Sequence, residues 1–279
     1  MKTILIPTDF SETAKHTAIY AMEIARQIKA EKVILYNTYQ TIVTVGADPL
    51  IPAVDAVSIE NLKKGSEEGL QNLKFILLAY QPENVVIKTL SEFNLLTAGI
   101  QSVCERMPID VIIMGITGGD AIEENLFGSN TIQVAKNVTV PVIIVPKYAP
   151  LKPIEKILFL CDFEKVVETT PVQPIIRLLD ATKAAFHVLN IDKNNSHFTP
   201  ETPHESLMLH NLFHQYNPQY HFVDGDDFME TANSFVKENN IDLIVSIPKR
   251  HGLFETLFKR SHTKMMAFHS IVPLMVVHE

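Results

Sequence analysis

The chain repeats itself, and that repeat constrains its fold more than any other feature. Ile4-Leu-Ile-Pro-Thr-Asp9-Phe10 aligns with Ile157-Leu-Phe-Leu-Cys-Asp162-Phe163, and Val140-Pro-Val-Ile-Ile-Val145 aligns with Val272-Pro-Leu-Met-Val-Val277. A missed repeat mis-assigns a whole architecture. Here the repeating unit is half the chain, and 279 residues suffice for two ordinary domains.

Within each unit, strand and helix patterns alternate. The first half predicts strands over Thr3–Pro7, Lys32–Thr38, Asn84–Leu90, Asp110–Gly115 and Pro141–Val145. Helices are predicted over Glu12–Lys29, Val57–Tyr80, Leu95–Met107 and Ser129–Asn137. The strands are continuous β-branched runs, as in a parallel sheet covered on both faces. Ala14, Ala18, Ala21, Met22, Ala25 and Ile28 fall on one helical stripe. Pro146-Lys-Tyr-Ala-Pro150-Leu-Lys-Pro153 can continue neither element and reads as a semi-rigid linker. The second half then predicts strands over Lys156–Cys161, Ala185–Ile191, Tyr220–Val223, Asp242–Ile247 and Val272–Val277. Its helices are expected over Pro174–Thr182, Pro203–Gln215, Asp226–Asn239 and Ser261–His269. The expectation is an α/β protein of two tandem, doubly wound, five-stranded parallel-sheet domains, residues 1–147 and 153–279.

Composition narrows the function classes. At 46% hydrophobic residues the chain can build a real core, yet no apolar stretch approaches the roughly 18–20 residues of a membrane helix. The opening apolar run is cut by Pro7, Thr8 and Asp9, too short for a secretory segment, so a cytoplasmic location is expected. Cys104 and Cys161 give no disulfide framework and have no neighbours diagnostic of a thiol nucleophile. A formal charge of −8 argues against nucleic acid and against an anionic membrane surface as partners.

One motif carries chemistry. The apolar run Asp110-Val-Ile-Ile-Met114 breaks at Gly115-Ile-Thr-Gly118; nine residues later come Gly128-Ser129 and a helical pattern. Glycine lacks a Cβ, so backbone N–H groups can close on phosphate oxygens. A helix start adds unpaired donors and partial positive charge. The same residues have plainer uses: Gly115 and Gly118 as turn glycines, Ser129 as an N-cap, and Asp9 as a helix cap in competition with Ser11.

Lys2-Thr-Ile-Leu-Ile-Pro-Thr-Asp-Phe-Ser-Glu-Thr-Ala14 resembles the opening of universal stress proteins, and Gly115-x2-Gly118-x9-Gly128-Ser129 resembles the motif of that family's ATP-binding branch. The resemblance implies an adenine nucleotide alpha hydrolase-like fold with strand order 3-2-1-4-5, and a crevice between the first and fourth strands. It implies that Pro7, Thr8 and Asp9 line the adenosine side. Thr38 would meet adenine through its backbone, and Met114, Gly115 and Gly118 would line the ribose and phosphate approach. Gly128, Ser129 and Asn130 would donate to the phosphates, with Asp9 helping to hold a divalent cation such as Mg²⁺. It also implies that final strands pair between domains, as an internal pseudo-dimer, with a homodimer or a protein partner of unknown identity beyond that.

The second half departs from the motif. Ile247 (or Ser246), Arg250 and Arg260 stand opposite the three glycines, and only Asp162 and Ser261 survive. That half is expected not to bind ATP in the family manner. Lys249, Arg250, Lys259 and Arg260 read either as a second anion site or as a solvated face. His210 and His214 have metal-ligand spacing without a third ligand in view, and His187 reads as a satisfied core histidine. The leading function is an ATP-binding stress protein. A slow metal-dependent ATPase is one rival. The other is a protein- or apolar-ligand module using the loop Gln40–Ala56, with Ile42, Val43, Val45, Leu50 and Ile51.

Overall fold

In the computed structural model, residues 1–40, 56–116, 129–192, 201–247 and 272–278 are described. The first half runs β1 (Thr3–Pro7), α1 (Glu12–Gln27), β2 (Lys32–Tyr39), α2 (Ala56–Leu77), β3 (Val86–Phe93), α3 (Leu96–Arg106), β4 (Val111–Ile116), α4 (Ser129–Asn137) and β5 (Val142–Pro146). The second half runs β6 (Lys156–Leu160), α5 (Val166–Thr169), α6 (Val172–Thr182), β7 (Ala185–Ile191), α7 (Thr202–Phe213), β8 (Gln219–Val223), α8 (Phe228–Asn239), β9 (Leu243–Ser246) and β10 (Leu274–Val276). The predicted helix Ser261–His269 lies outside the described residues.

The strands form one ten-stranded sheet in the order β3-β2-β1-β4-β5-β10-β9-β6-β7-β8. Neighbours pair in parallel except at the centre, where β5 and β10 run antiparallel with Ile143 opposite Met275. Two five-stranded parallel-sheet domains with their final strands pairing were expected; that pairing joins all the strands into a single mixed sheet. The cause is physical. β5 and β10 are buried along their full length, and an apolar edge left open would expose a row of unpaired N–H and C=O groups. Each edge covers the other.

Both halves are stapled alike. Asp110 Oδ2 accepts from the N–H groups of Lys2 (2.7 Å) and Thr3 (3.0 Å), tying β4 to the start of β1. Asp242 Oδ2 accepts from Glu155 and Lys156, both at 2.9 Å, tying β9 to the start of β6.

The segment between the halves is not a spacer. Ala149 and Ile154 are buried. His16 Nε2 donates to the Ala149 carbonyl at 2.9 Å. The Gln27 side chain donates to the Ile154 carbonyl (2.8 Å) and accepts from its N–H (2.9 Å). The prolines stiffen the strap, and α1 pins it.

The helix expected at Pro174–Thr182 is α6, which begins two residues earlier at Val172; the short α5 before it, separated at Thr170-Pro171, was not expected. A residue before proline is pushed out of the helical region. Pro174 is tolerated because it sits in the first turn of α6, where no N–H is needed.

His187 is not the satisfied core histidine expected. Its Nδ1 meets His221 Nε2 at 3.1 Å, but its buried Nε2 has no partner among the described residues. The two rings stack at 5.3 Å, and His221 meets Phe235 of α8 edge-on. Burial, then the neighbouring His221 and Lys156, hold the His187 imidazole below its ordinary pKa; burial does the same to His221. A base depressed in the folded state binds fewer protons there than in the unfolded chain. Stability is therefore full above the ordinary histidine pKa of about 6.5 and is lost as pH falls through the depressed values. Urea midpoints should drop as pH falls below about 6.5, and the drop should shrink in a His187→Leu/His221→Leu variant. Equal acid sensitivity in the two proteins would assign the effect to other groups.

Candidate functional site

In a doubly wound sheet, ligands lie beyond the carboxyl ends of strands where the strand order reverses. β1 lies between β2 and β4, so that point falls between β1 and β4. A crevice of about 810 Å³ opens there. Pro7 at the end of β1, Thr8 and Asp9 after it, Asn37 and Thr38 of β2, Met114 and Gly115 of β4, and Asn130 of α4 all line it. These come from four segments distant in sequence, and the topology brings them to one opening. Gly118 and Gly128 lie outside the described residues, as do the side chain of Ser129, the basic cluster Lys249–Arg260, Ser261 and the apolar loop after Gln40.

The floor of the crevice is built by a turn. Asp9 Oδ1 accepts from the Ser11 N–H (3.0 Å), and Thr8 Oγ1 from the Phe10 N–H (3.0 Å). Together they hold Phe10 at φ 65°. Ser11, not Asp9, caps α1, accepting from the Ala14 N–H at 3.2 Å. That frees Asp9 from the capping role and leaves it on the crevice wall. The second half copies the turn: Asp162 Oδ1 accepts from Glu164, Cys161 Sγ from Phe163, and Phe163 has φ 55°.

Gly115 lines the crevice, but its missing Cβ serves the opposite side. A Cβ there would lie 2.6 Å from Thr17 Oγ1 and 3.0 Å from Thr13 Cγ2. Thr17 Oγ1 is itself committed to the Thr13 carbonyl at 2.8 Å. Glycine at this position lets α1 press onto the end of β4. Its carbonyl accepts from Thr131 Oγ1 (2.8 Å), which ties β4 to α4. Gly115 stands inside β4 rather than ending it, and Thr38 stands inside β2 rather than after it. The Thr38 methyl faces Gly99 of α3, so packing sets its identity.

Asn37 was not singled out from sequence. Its Nδ2 donates to the Thr8 carbonyl at 2.7 Å, and Asn190 Nδ2 donates to the Cys161 carbonyl at 2.9 Å in the second half. The repeat held the signal: Asn37 and Asn190 keep the spacing that aligns Ile4 with Ile157. Behind this wall Tyr36 donates to Glu92 at 2.9 Å, and Arg106 pairs with Glu92 at 2.6 Å. Burial, reinforced by the Glu92 contact, raises the Tyr36 pKa, so the phenol stays a neutral donor.

Asp9 is the sole charged side chain among the described residues lining the crevice. A polyanion there must be neutralised by backbone donors and by a cation. One carboxylate beside bound phosphates suits Mg²⁺, which takes few protein ligands and keeps its octahedron with phosphate and water.

In the second half the described residues at the corresponding place line a much smaller cavity. It holds about 10 Å³, lined by Cys161, Asp162, Val166, Thr169, Thr170 and Ile247. Ile247 stands where the first half has Gly115. There α5 follows the turn, where the first half has the unbroken first turns of α1. Among the described residues no cluster of three or more His, Cys, Asp or Glu is placed to hold a metal. His214 Nδ1 instead meets the Asn211 carbonyl at 3.0 Å, and His210 packs on Tyr220. Among the described residues no helix is long and apolar enough to cross a membrane.

The model of the universal stress protein family matches residues 1–146. This chain belongs to the universal stress protein family. Universal stress protein MJ0531 of Methanocaldococcus jannaschii is 33% identical over 147 residues, covering 52% of this chain and 82% of that protein. Universal stress protein MJ0577 of the same organism is 29% identical over 155 residues, covering 52% and 95%. Both relatives therefore match about half of this universal stress protein. A structure of a universal stress protein from Archaeoglobus fulgidus DSM 4304 superposes with a TM-score of 0.71 over 99% of this chain and 98% of its own, at 17% identity. That likeness is one of fold, and it extends over both halves.

Proposed function

We propose that this universal stress protein binds one ATP with Mg²⁺ in the crevice of its first half, and that it comprises two tandem domains, residues 1–147 and 153–279. The observation carrying this reading is the crevice of about 810 Å³ beyond β1 and β4, where the described residues beyond β6 and β9 line a cavity of only about 10 Å³. In this reading Pro7, Thr8, Thr38 and Met114 line the nucleoside side, and Asn37 holds the turn that presents them. Gly118, Gly128, Ser129 and Asn130 supply donors to the phosphates where α4 begins, and Asp9 meets the cation. The second domain covers the β5 edge and serves as a structural or interaction module.

Hydrolysis is not part of the proposal. The described crevice wall offers one carboxylate and no cationic side chain to stabilise a developing charge. Calorimetric titration of the full chain with ATP and Mg²⁺ should give one site per chain. Two sites would show that the second half binds nucleotide by some other geometry. No heat and no bound nucleotide by equilibrium dialysis would defeat the assignment.

A further inference from the structure

The last turn of a helix leaves carbonyl groups without partners inside the helix. In α4 two of them are met from outside. Gln101 Nε2 of α3 donates to the Asn137 carbonyl at 2.9 Å. His278 Nε2 donates to the Ala135 carbonyl at 2.7 Å, across 143 residues of sequence. A carbonyl oxygen only accepts, so Nε2 must carry hydrogen. His278 lies two residues past β10, on the strand that zips the halves together.

The residue at the equivalent place in the first half is different. Aligning Val145 with Val277 places Pro146 opposite His278. Proline has no N–H and no side-chain donor, so Pro146 cannot make the bond that His278 makes. The repeat has diverged here in the direction that lets the second half hold a helix of the first.

That helix leads to the crevice. α4 is nine residues long, and Asn130 and Thr131 at its start line the opening, with Thr131 clamped to the Gly115 carbonyl. At roughly 1.5 Å per residue its two ends are only about 13 Å apart. A rod that short moves as one body, so a shift at Ala135 is felt at Asn130.

We propose that His278 is a positioning residue for the nucleotide crevice, and that through it occupancy of the crevice is coupled to the terminal strand β10. The inference rests on the nucleotide reading above. Coupling of this kind is reciprocal: if His278 favours binding by seating α4, bound nucleotide must favour the docking of His278 and its strand.

The test uses the full chain with His278→Ala and His278→Gln. Glutamine keeps a donor at the place of Nε2. ATP titration should show His278→Ala weakened by about three- to tenfold, the worth of one net hydrogen bond, and His278→Gln restored to within about twofold. Amide exchange followed by mass spectrometry should show ATP slowing the β10 amides in the wild-type protein and not in His278→Ala. Without nucleotide, α4 amides should exchange faster in His278→Ala. Unchanged ATP affinity in His278→Ala, or His278→Gln as weak as alanine, overturns the proposal. Should the alanine variant fail to fold, ATP leaving wild-type β10 exchange untouched would overturn it equally. Failure of the nucleotide reading looks different: the wild-type protein would bind no ATP, while faster α4 exchange in His278→Ala would still report the contact.

Discussion

Gly128→Arg should remove ATP binding from the whole protein while leaving its fold in place. The substitution writes into the first half the residue that the second half carries at Arg260. Gly128 immediately precedes α4, whose first N–H groups have no partners within the helix. In the proposed reading glycine there would admit phosphate oxygens to the backbone, and an arginine side chain would occupy the approach despite its favourable charge. Each charge-assisted contact is worth about 1.5–3 kcal/mol, so losing two or more costs at least about a hundredfold in affinity. Thermal melts without nucleotide should match the wild-type protein within a few degrees, and ATP should raise the wild-type melting temperature alone. The reverse change, Arg260→Gly, should create no second site, because the described residues beyond β6 and β9 line a cavity of only about 10 Å³. Wild-type affinity in a folded Gly128→Arg protein would sink the assignment of the phosphate site.

The alternation of elements was legible because the inner strands are buried on both faces. β1 is apolar at every position but Thr3, and its bounds are those its pattern predicts. β3 is different. It was expected over Asn84–Leu90 and runs from Val86 to Phe93. As an edge strand it exposes Val86 and Phe93. Its polar end hid its continuation: Ser91 pairs with Ser66 of α2 and Glu92 with Tyr36. Polarity that reads as a loop in isolation is here satisfied by tertiary partners. α6 was legible from its apolar spacing to within two residues of its start, whereas α5 spans four residues, Val166–Thr169, too few to show a helical period. The pairing of β5 with β10 could be anticipated as two apolar edges needing cover; its register could not, since residues 142 and 276 are brought together by the whole fold.

The site was legible where function and repeat both left marks. Asp9 recurs as Asp162, and both hold the same turn. Gly115 was visible as a glycine, but its reason was not. Phosphate approach explains why a loop would want glycine; only the structure shows Thr13 and Thr17 of α1 filling the space where a Cβ would stand. Asn37 escaped notice because a single polar residue near the end of a strand has no motif. Its role depends on a carbonyl 29 positions away.

The largest effect on stability should come from Asp242→Ala. The Asp242 side chain is 6% exposed, and its Oδ1 meets Lys152 Nζ at 2.5 Å. Its Oδ2 accepts from two backbone N–H groups, those of Glu155 and Lys156. Alanine would strand both donors in a part-buried place where water reaches them poorly. Lys152, with its side chain 48% exposed, would return to solvent at little cost. The loss is therefore mainly that of two hydrogen bonds to a carboxylate, about 3–5 kcal/mol in all. Asp110→Ala removes the twin staple in the first half, with its two bonds to Lys2 and Thr3. Those bonds lie closer to solvent, so that variant should lose about half as much. Asp242→Asn keeps an oxygen for the two donors but no charge for Lys152, and should fall between alanine and the wild-type protein. Urea unfolding of the three variants measures the order. If Asp242→Ala cost no more than Asp110→Ala, burial would not be what gives the second staple its strength.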